Sequence, residues 1–247
     1  MGDLRGASAV AGDGGNGGGG PTNGGSSAGE LPSSDAGSPP EASAGSAGTD
    51  ETVSAFDDFE HEDSVILELD GRKGDWYVSN DGRGTQSPRA GAELLPTALD
   101  VPREGSSNAL HTFGGPFFTW GALVGASLAS GEGYDLSGYA GIRLWVRSGA
   151  SSGAWGGPSA AKEVRLNLTT TATSAGGSCT VCNDHFGVDI PLTMEWTLVD
   201  LPLAGMKQAG FGRPQLKVDL SEVLDIQLTF PANVSFDLWV DDVELYR

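Results

Sequence analysis

The chain is short of positive charge. Against 33 aspartates and glutamates it sets 14 lysines and arginines, a formal net charge of −19. Nucleic acids and anionic membrane surfaces are bound through clustered Lys and Arg that displace counterions, so neither is an expected partner. Long hydrophobic runs are missing too, and no stretch approaches the roughly 20 apolar residues of a membrane-spanning helix. No basic segment followed by an apolar stretch of about 7–15 residues, the pattern of an export signal, opens the sequence. Aromatic and β-branched residues are nearly absent from residues 1–54, where Gly, Ser, Ala and Pro recur, as in Gly14-Gly15-Asn16-Gly17-Gly18-Gly19-Gly20-Pro21. Such a segment buries too little apolar area to offset the entropy of ordering it, and a flexible tether is expected. The remainder, 55–247, is long enough for a single sandwich.

Helical periodicity is never sustained there. Short segments with period-two alternation, separated by Gly, Ser, Asn, Asp and Pro, predict strands at 55–60, 64–69, 75–79, 108–113, 122–128, 141–147, 163–170, 186–190, 195–201, 224–230 and 236–246. One helical turn is expected after Asp219. Alternation points Ile142, Leu144 and Val146 to one side and Arg143, Trp145 and Arg147 to the other. It likewise separates Val164, Leu166 and Leu168 from Arg165, Asn167 and Thr169, so the two strands are expected to share a polar face.

The first and last strands interleave apolar residues with carboxylates, in Phe56-Asp57-Asp58-Phe59-Glu60 and in Phe236-Asp237-Leu238-Trp239-Val240-Asp241-Asp242-Val243-Glu244-Leu245. Calcium takes six to eight hard oxygen ligands, and carboxylates at adjacent strand ends supply them. Asp58, Glu60, Asp241 and Asp242 are the expected ligands, with Asp57 behind them; the other reading is a pair of solvated acidic strand edges.

These two stretches resemble the opening and closing strands of carbohydrate-binding modules with the galactose-binding, jelly-roll fold, especially the family 11 type. Gly71-Arg72-Lys73-Gly74-Asp75-Trp76-Tyr77-Val78-Ser79-Asn80-Asp81, Ala109-Leu110-His111-Thr112, Gly141-Ile142-Arg143-Leu144-Trp145-Val146-Arg147 and Cys182-Asn183-Asp184-His185-Phe186-Gly187 extend the resemblance over roughly 55–247. It implies an all-β jelly-roll sandwich, a structural calcium pinning the first and last strands, and a polysaccharide ligand. It is similar to secreted or lipid-anchored bacterial proteins. The expectation is therefore a monomer outside the cytoplasm, exported or anchored through a signal or lipid-bearing cysteine that this sequence does not display.

A sugar presents apolar C–H faces and a rim of hydroxyls, so its site needs exposed aromatic rings beside planar polar groups. Trp76, Tyr77, Asn80 and Asp81 offer that mixture within six residues; His111 with Trp120, and Asp184 with His185, offer more, and Arg143 and Asn167 lie on the polar strand face. Trp76 and Tyr77 are adjacent in a strand, so one of them belongs to the core. Trp155 sits in a glycine-rich loop, whereas Trp196 reads as core packing. A protein-interaction or adhesion module would use an exposed aromatic patch equally well, and fold alone does not choose.

Cysteine is nearly absent: Cys179 and Cys182 are the only two. A CxxC pair admits a redox centre, half of a zinc site with Asp184 or His185, or a small-loop disulfide; the last suits a β-rich context and an oxidising compartment. Catalysis is not expected. No carboxylate spacing singles out a glycosidase pair, and neither a nucleophile elbow nor a zinc-protease helix motif is present.

Overall fold

The computed structural model describes residues 51–150 and 160–247. Residues 1–50 of the expected tether, and Trp155, lie outside the described residues. In chain order the strands are β1 (Val53–Asp57), β2 (Trp76–Asn80), β3 (Thr85–Ser87), β4 (Thr97–Arg103), β5 (Ser106–Gly115), β6 (Ala122–Ser127), β7 (Gly141–Ser148), β8 (Glu163–Thr170), β9 (Phe186–Pro191), β10 (Thr197–Pro202), β11 (Val223–Phe230) and β12 (Phe236–Tyr246). They form two antiparallel sheets. One runs β10-β7-β12-β5-β3, with β1 added to β12 and β4 to β5; the other runs β2-β6-β11-β8-β9. The architecture is the expected all-β sandwich. A 3-10 turn at Leu220–Glu222 follows Asp219, whose carboxylate accepts the Ser221 N–H, and another lies at Leu203–Gly205.

Alternation sets the core. Ile142, Leu144 and Val146 of β7 and Leu238 and Val240 of β12 point inward, opposite Val164, Leu166 and Leu168 of β8 and Ile226 and Leu228 of β11, and all are buried. Each such aliphatic side chain contributes about 1.5–3 kcal/mol relative to exposure.

Strands β7 and β8 do not share a polar face, because they belong to opposite sheets and their outward residues leave on opposite sides of the sandwich. Alternation fixes which side chains point inward but not which sheet a strand joins. The expected strand at 64–69 makes only an isolated bridge, Val65 to Asp75, before the chain turns with positive φ at Asp70 and Gly71. Two strands went unread: β3 is too short to show a period, and β4 carries Pro102, which reads as a breaker. The first strand begins at Val53, just inside the segment read as tether.

The two sheets are tied together at the chain's entry. Asp57, at the end of β1 in the larger sheet, accepts a 2.7 Å hydrogen bond from Trp76 Nε1 at the start of β2 in the smaller sheet. Its other oxygen takes the Phe59 N–H at 2.9 Å and faces His61 Nε2 at 2.8 Å. The Trp76 ring packs against Phe56 and Phe59. Arg72, 1% exposed, lies over the Phe56 ring and donates to the Ala55 carbonyl and Ser54 Oγ. Trp76 is therefore a core residue, and of the two adjacent rings it is Tyr77 that faces outward.

Replacing Trp76 by Phe keeps a ring but strips Asp57 of a donor inside the core, and denaturant melts should show a loss of about 1–3 kcal/mol. Trp76→Ala should lose about 3–5 kcal/mol.

Candidate functional site

The outward face of the smaller sheet is concave. A groove of about 680 Å³ runs across it, within the range of small-ligand sites. Its floor comes from strand residues whose inward neighbours fill the core: Ser79 of β2, Leu123 of β6, Gln227 and Thr229 of β11, Arg165 and Asn167 of β8 and Asp189 of β9. Trp120 stands at one side, in the turn entering β6. Cys182, Asn183, Asp184, His185 and Phe211 stand at the other, beyond β9. From β6 to β9 is three strand spacings, about 14 Å, room for roughly three sugar rings.

The floor is polar and internally ordered. Asn167 Nδ2 donates to Thr229 Oγ1 at 3.0 Å, and Arg165 pairs with Asp189 at 3.0 Å while donating to the Lys207 carbonyl. The end of the Tyr77 phenol lies against Gly125, where a Cβ would come within 2.9 Å of it, and its hydroxyl accepts from Gln227 Nε2 at 2.9 Å. Burial pushes the Tyr77 phenol up, with the Asp225 carboxylate adding to the shift. Each wall carries an exposed aromatic ring: Trp120 is 49% exposed and Phe211 65%. Exposed rings over ordered donors and acceptors can stack against a C–H face and bind hydroxyls together.

Of the expected ligand residues, Trp120, Asn167, Asp184 and His185 meet at this groove, and Tyr77 lies on the same sheet face through Gln227. The others do not join them. Asn80 donates to Gln86 Oε1 and accepts the Gly82 N–H, a turn-stabilising role. Asp81 accepts the N–H groups of Phe118 and Thr119 and the Thr119 hydroxyl through one oxygen, holding the loop that carries Trp120. Burial works to raise its pKa, but these bonds and that from Arg83 outweigh it and hold the carboxyl well below the usual range.

His111 and Arg143 belong to the larger sheet, on the far side of the sandwich. His111 stacks on Trp239 at 3.8 Å and faces Asp237 at 2.9 Å; Arg143 pairs with Asp200 and Glu51. Arg147 and Trp239 are buried on that outer face, with Arg147 over the rings of Trp239 and Trp196. Trp196 is half-buried, its Nε1 bonded to the Val101 carbonyl of β4. Phe211 was missed by sequence reading. Its flanking Gly210 and Gly212 mark a loop, but nothing local shows that the loop folds back to β9.

Cys179 and Cys182 form a disulfide, closing a four-residue loop beside the groove.

The carboxylates expected to hold calcium do not form an oxygen cage. Arg103 stands between Asp241 and Asp242, at 2.8 and 2.7 Å, in the place of a cation. Glu60 accepts the N–H groups of Ser107 and Asn108, and Asp58 accepts that of Glu60. Among the described residues one group of possible metal ligands converges, Asp57, Asp58 and His61, but both Asp57 oxygens already accept protein donors and an imidazole is foreign to calcium's oxygen set. Burial raises the Asp57 pKa despite those donors.

No protein-family profile and no curated protein matches the sequence. Solved structures do. A family 30 carbohydrate-binding module superposes with a TM-score of 0.50 at 13% identity, covering 78% of this chain and 98% of that one. The family 11 module of a cellulosomal cellulase of Clostridium thermocellum gives 0.49 at 16% identity, over 78% of this chain and 94% of its own. The fold is thus the β-sandwich of carbohydrate-binding modules. At such identities the likeness concerns fold alone.

Two solution tests follow. Burial pushes the His185 pKa down from 6.5 to about 4, against the opposing charge of Asp184, and its Nδ1 faces Thr173 Oγ1. Below 6.5 the unfolded chain binds a proton that the folded His185 refuses, so its contribution, complete above that pH, is lost between 6.5 and about 4. Stability against pH should fall less steeply over that window in His185→Gln. Chelation by EGTA should leave the melting temperature unchanged; a drop of several degrees, restored by calcium, would show that the carboxylates rearrange around an ion.

Proposed function

We propose that the protein is a non-catalytic polysaccharide-binding module whose site is the groove on the five-stranded sheet. The observation that carries this reading is the pairing of exposed aromatic walls, Trp120 and Phe211, with a polar floor of Arg165, Asn167, Asp189, Gln227 and Thr229. An open trough lined in this way suits a chain that passes through it, and burial of one tryptophan face, about 100 Å² at 25 cal/mol per Å², supplies roughly 2–3 kcal/mol before association costs. Affinities in the micromolar to millimolar range are expected.

Support for a non-catalytic role comes from how three of the groove's ionisable groups are used. Asp184 accepts backbone N–H groups with both oxygens, Asp189 pairs with Arg165, and His185 is turned toward Thr173. The fold's recurrence in carbohydrate-binding modules is consistent with this, and one solved family 11 module is described in complex with a β-1,3-1,4-mixed-linked tetrasaccharide. Display outside the cytoplasm belongs to the same proposal and draws on the disulfide.

The test is retention of the full chain by a panel of polysaccharides, including mixed-linkage β-glucan, xylan, cellulose and galactomannan. Saturable retention should weaken about tenfold or more in Trp120→Ala with the melting temperature held within about 2 °C, as befits an exposed ring. Failure of a folded protein to bind any member would transfer the groove to a protein partner.

A further inference from the structure

Asp184 was expected to touch sugar, but the residue is 2% exposed and its carboxylate is spent elsewhere. Oδ1 accepts the Ala209 N–H at 2.8 Å, Oδ2 accepts the Gly212 N–H at 2.8 Å, and the Gly210 N–H reaches both, at 3.3 and 3.0 Å. A short loop therefore wraps the carboxylate with its backbone. That wrapping requires glycine on each side of Phe211: Gly210 has φ of +99°, and a Cβ at Gly212 would lie 2.4 Å from Asp184 Cβ. With the backbone turned inward at both neighbours, the ring between them is left 65% exposed at the groove.

The base of the loop is closed separately. Gln208 Nε2 donates to the carbonyls of Asp184 and Arg213, and its Oε1 accepts the Gln215 N–H. Two residues before Asp184, the disulfide restrains the opposing segment, whose Val181 carbonyl accepts the Arg213 N–H. So much backbone hydrogen bonding directed at holding one exposed aromatic ring is not what an idle surface loop requires.

We propose that Phe211 is a sugar-stacking residue of the groove and that Asp184 is its positioning residue, acting on the ligand only through the loop it anchors. This rests on the polysaccharide reading above. It differs from a direct contact in one measurable way: the effects of the two residues on binding cannot add, because once the ring is gone its anchor has nothing left to present.

The experiment has two arms. Amide hydrogen exchange, which needs no ligand, should show Gly210 and Gly212 exchanging at least about tenfold faster in Asp184→Asn, with amides of β8 and β11 unchanged. Unchanged loop exchange overturns the anchor. Affinity electrophoresis in gels containing mixed-linkage β-glucan, xylan or galactomannan should then show Phe211→Ala weakened about tenfold, Asp184→Asn weakened by a similar factor, and the double variant no worse than Phe211→Ala. Losses that multiply in the double variant place Asp184 on the sugar and overturn the proposal, as does full retention of Phe211→Ala. If Asp184→Asn fails to fold, Gly212→Ala takes its place, since the added methyl must push the loop off the carboxylate. Wild-type protein retained by no gel overturns the polysaccharide reading and the role of Phe211, while the exchange arm still decides the anchor.

Discussion

The sandwich depends on one buried hydrogen bond, from Trp76 Nε1 to Asp57. Two sheets packed face to face have no backbone bonds between them, and hydrophobic contact by itself is indifferent to small slides of one over the other. A carboxylate sunk into the interface from β1 and satisfied by an indole from β2 removes that freedom, because an unmet carboxylate there would carry its full desolvation cost. The tie sits where the chain passes between sheets for the first time. Arg72 reinforces it by bonding back to β1 from the segment just before β2.

Carboxylates do similar work at the groove. Asp81 gathers the loop before Trp120, and Asp184 gathers the loop around Phe211, each using backbone N–H groups as donors. The strands give a flat, polar, hydrogen-bonded floor, while the walls come from loops, which must be held in place if their rings are to be ready for a ligand. Preorganisation of this kind lowers the ordering cost that binding would otherwise pay. The same acidity that argues against nucleic acid thus serves internal architecture. Arg103 shows the converse, neutralising Asp241 and Asp242 where an ion was expected.

Legibility followed the range of the interaction. Period-two alternation in β7 and β8 is a local signal, and it separated inward from outward side chains correctly, although the outward Arg147, Asn167 and Thr169 are themselves buried by what covers the outer faces. The exposed Trp120 and the loop position of Asp184 and His185 were visible as residue types. Their convergence was not, since Trp120 lies ahead of β6 and the Asp184 loop ahead of β9, and only the order β6-β11-β8-β9 sets them across one trough. His111 and Arg143 looked equivalent to Asn167 in sequence, yet their strands pair into the other sheet. Phe211 carried no sequence signal beyond its two glycines, because its exposure is meaningful only once Asp184 is known to hold the loop.

The sequence by itself determined that the domain is all-β, which side chains of most strands point inward, and that the first and last strands carry carboxylates among apolar residues, while its net charge argues against partners with dense negative charge. Those properties follow from composition and from the two-residue repeat of a strand, which need no knowledge of neighbours. Tertiary structure decided which sheet each strand joins, that Asp57 meets Trp76, that Arg103 meets Asp241 and Asp242, and that a trough lies between Trp120 and Phe211. Each of these joins residues far apart in the chain, and strand pairing across such separations is set by the packing of the whole core.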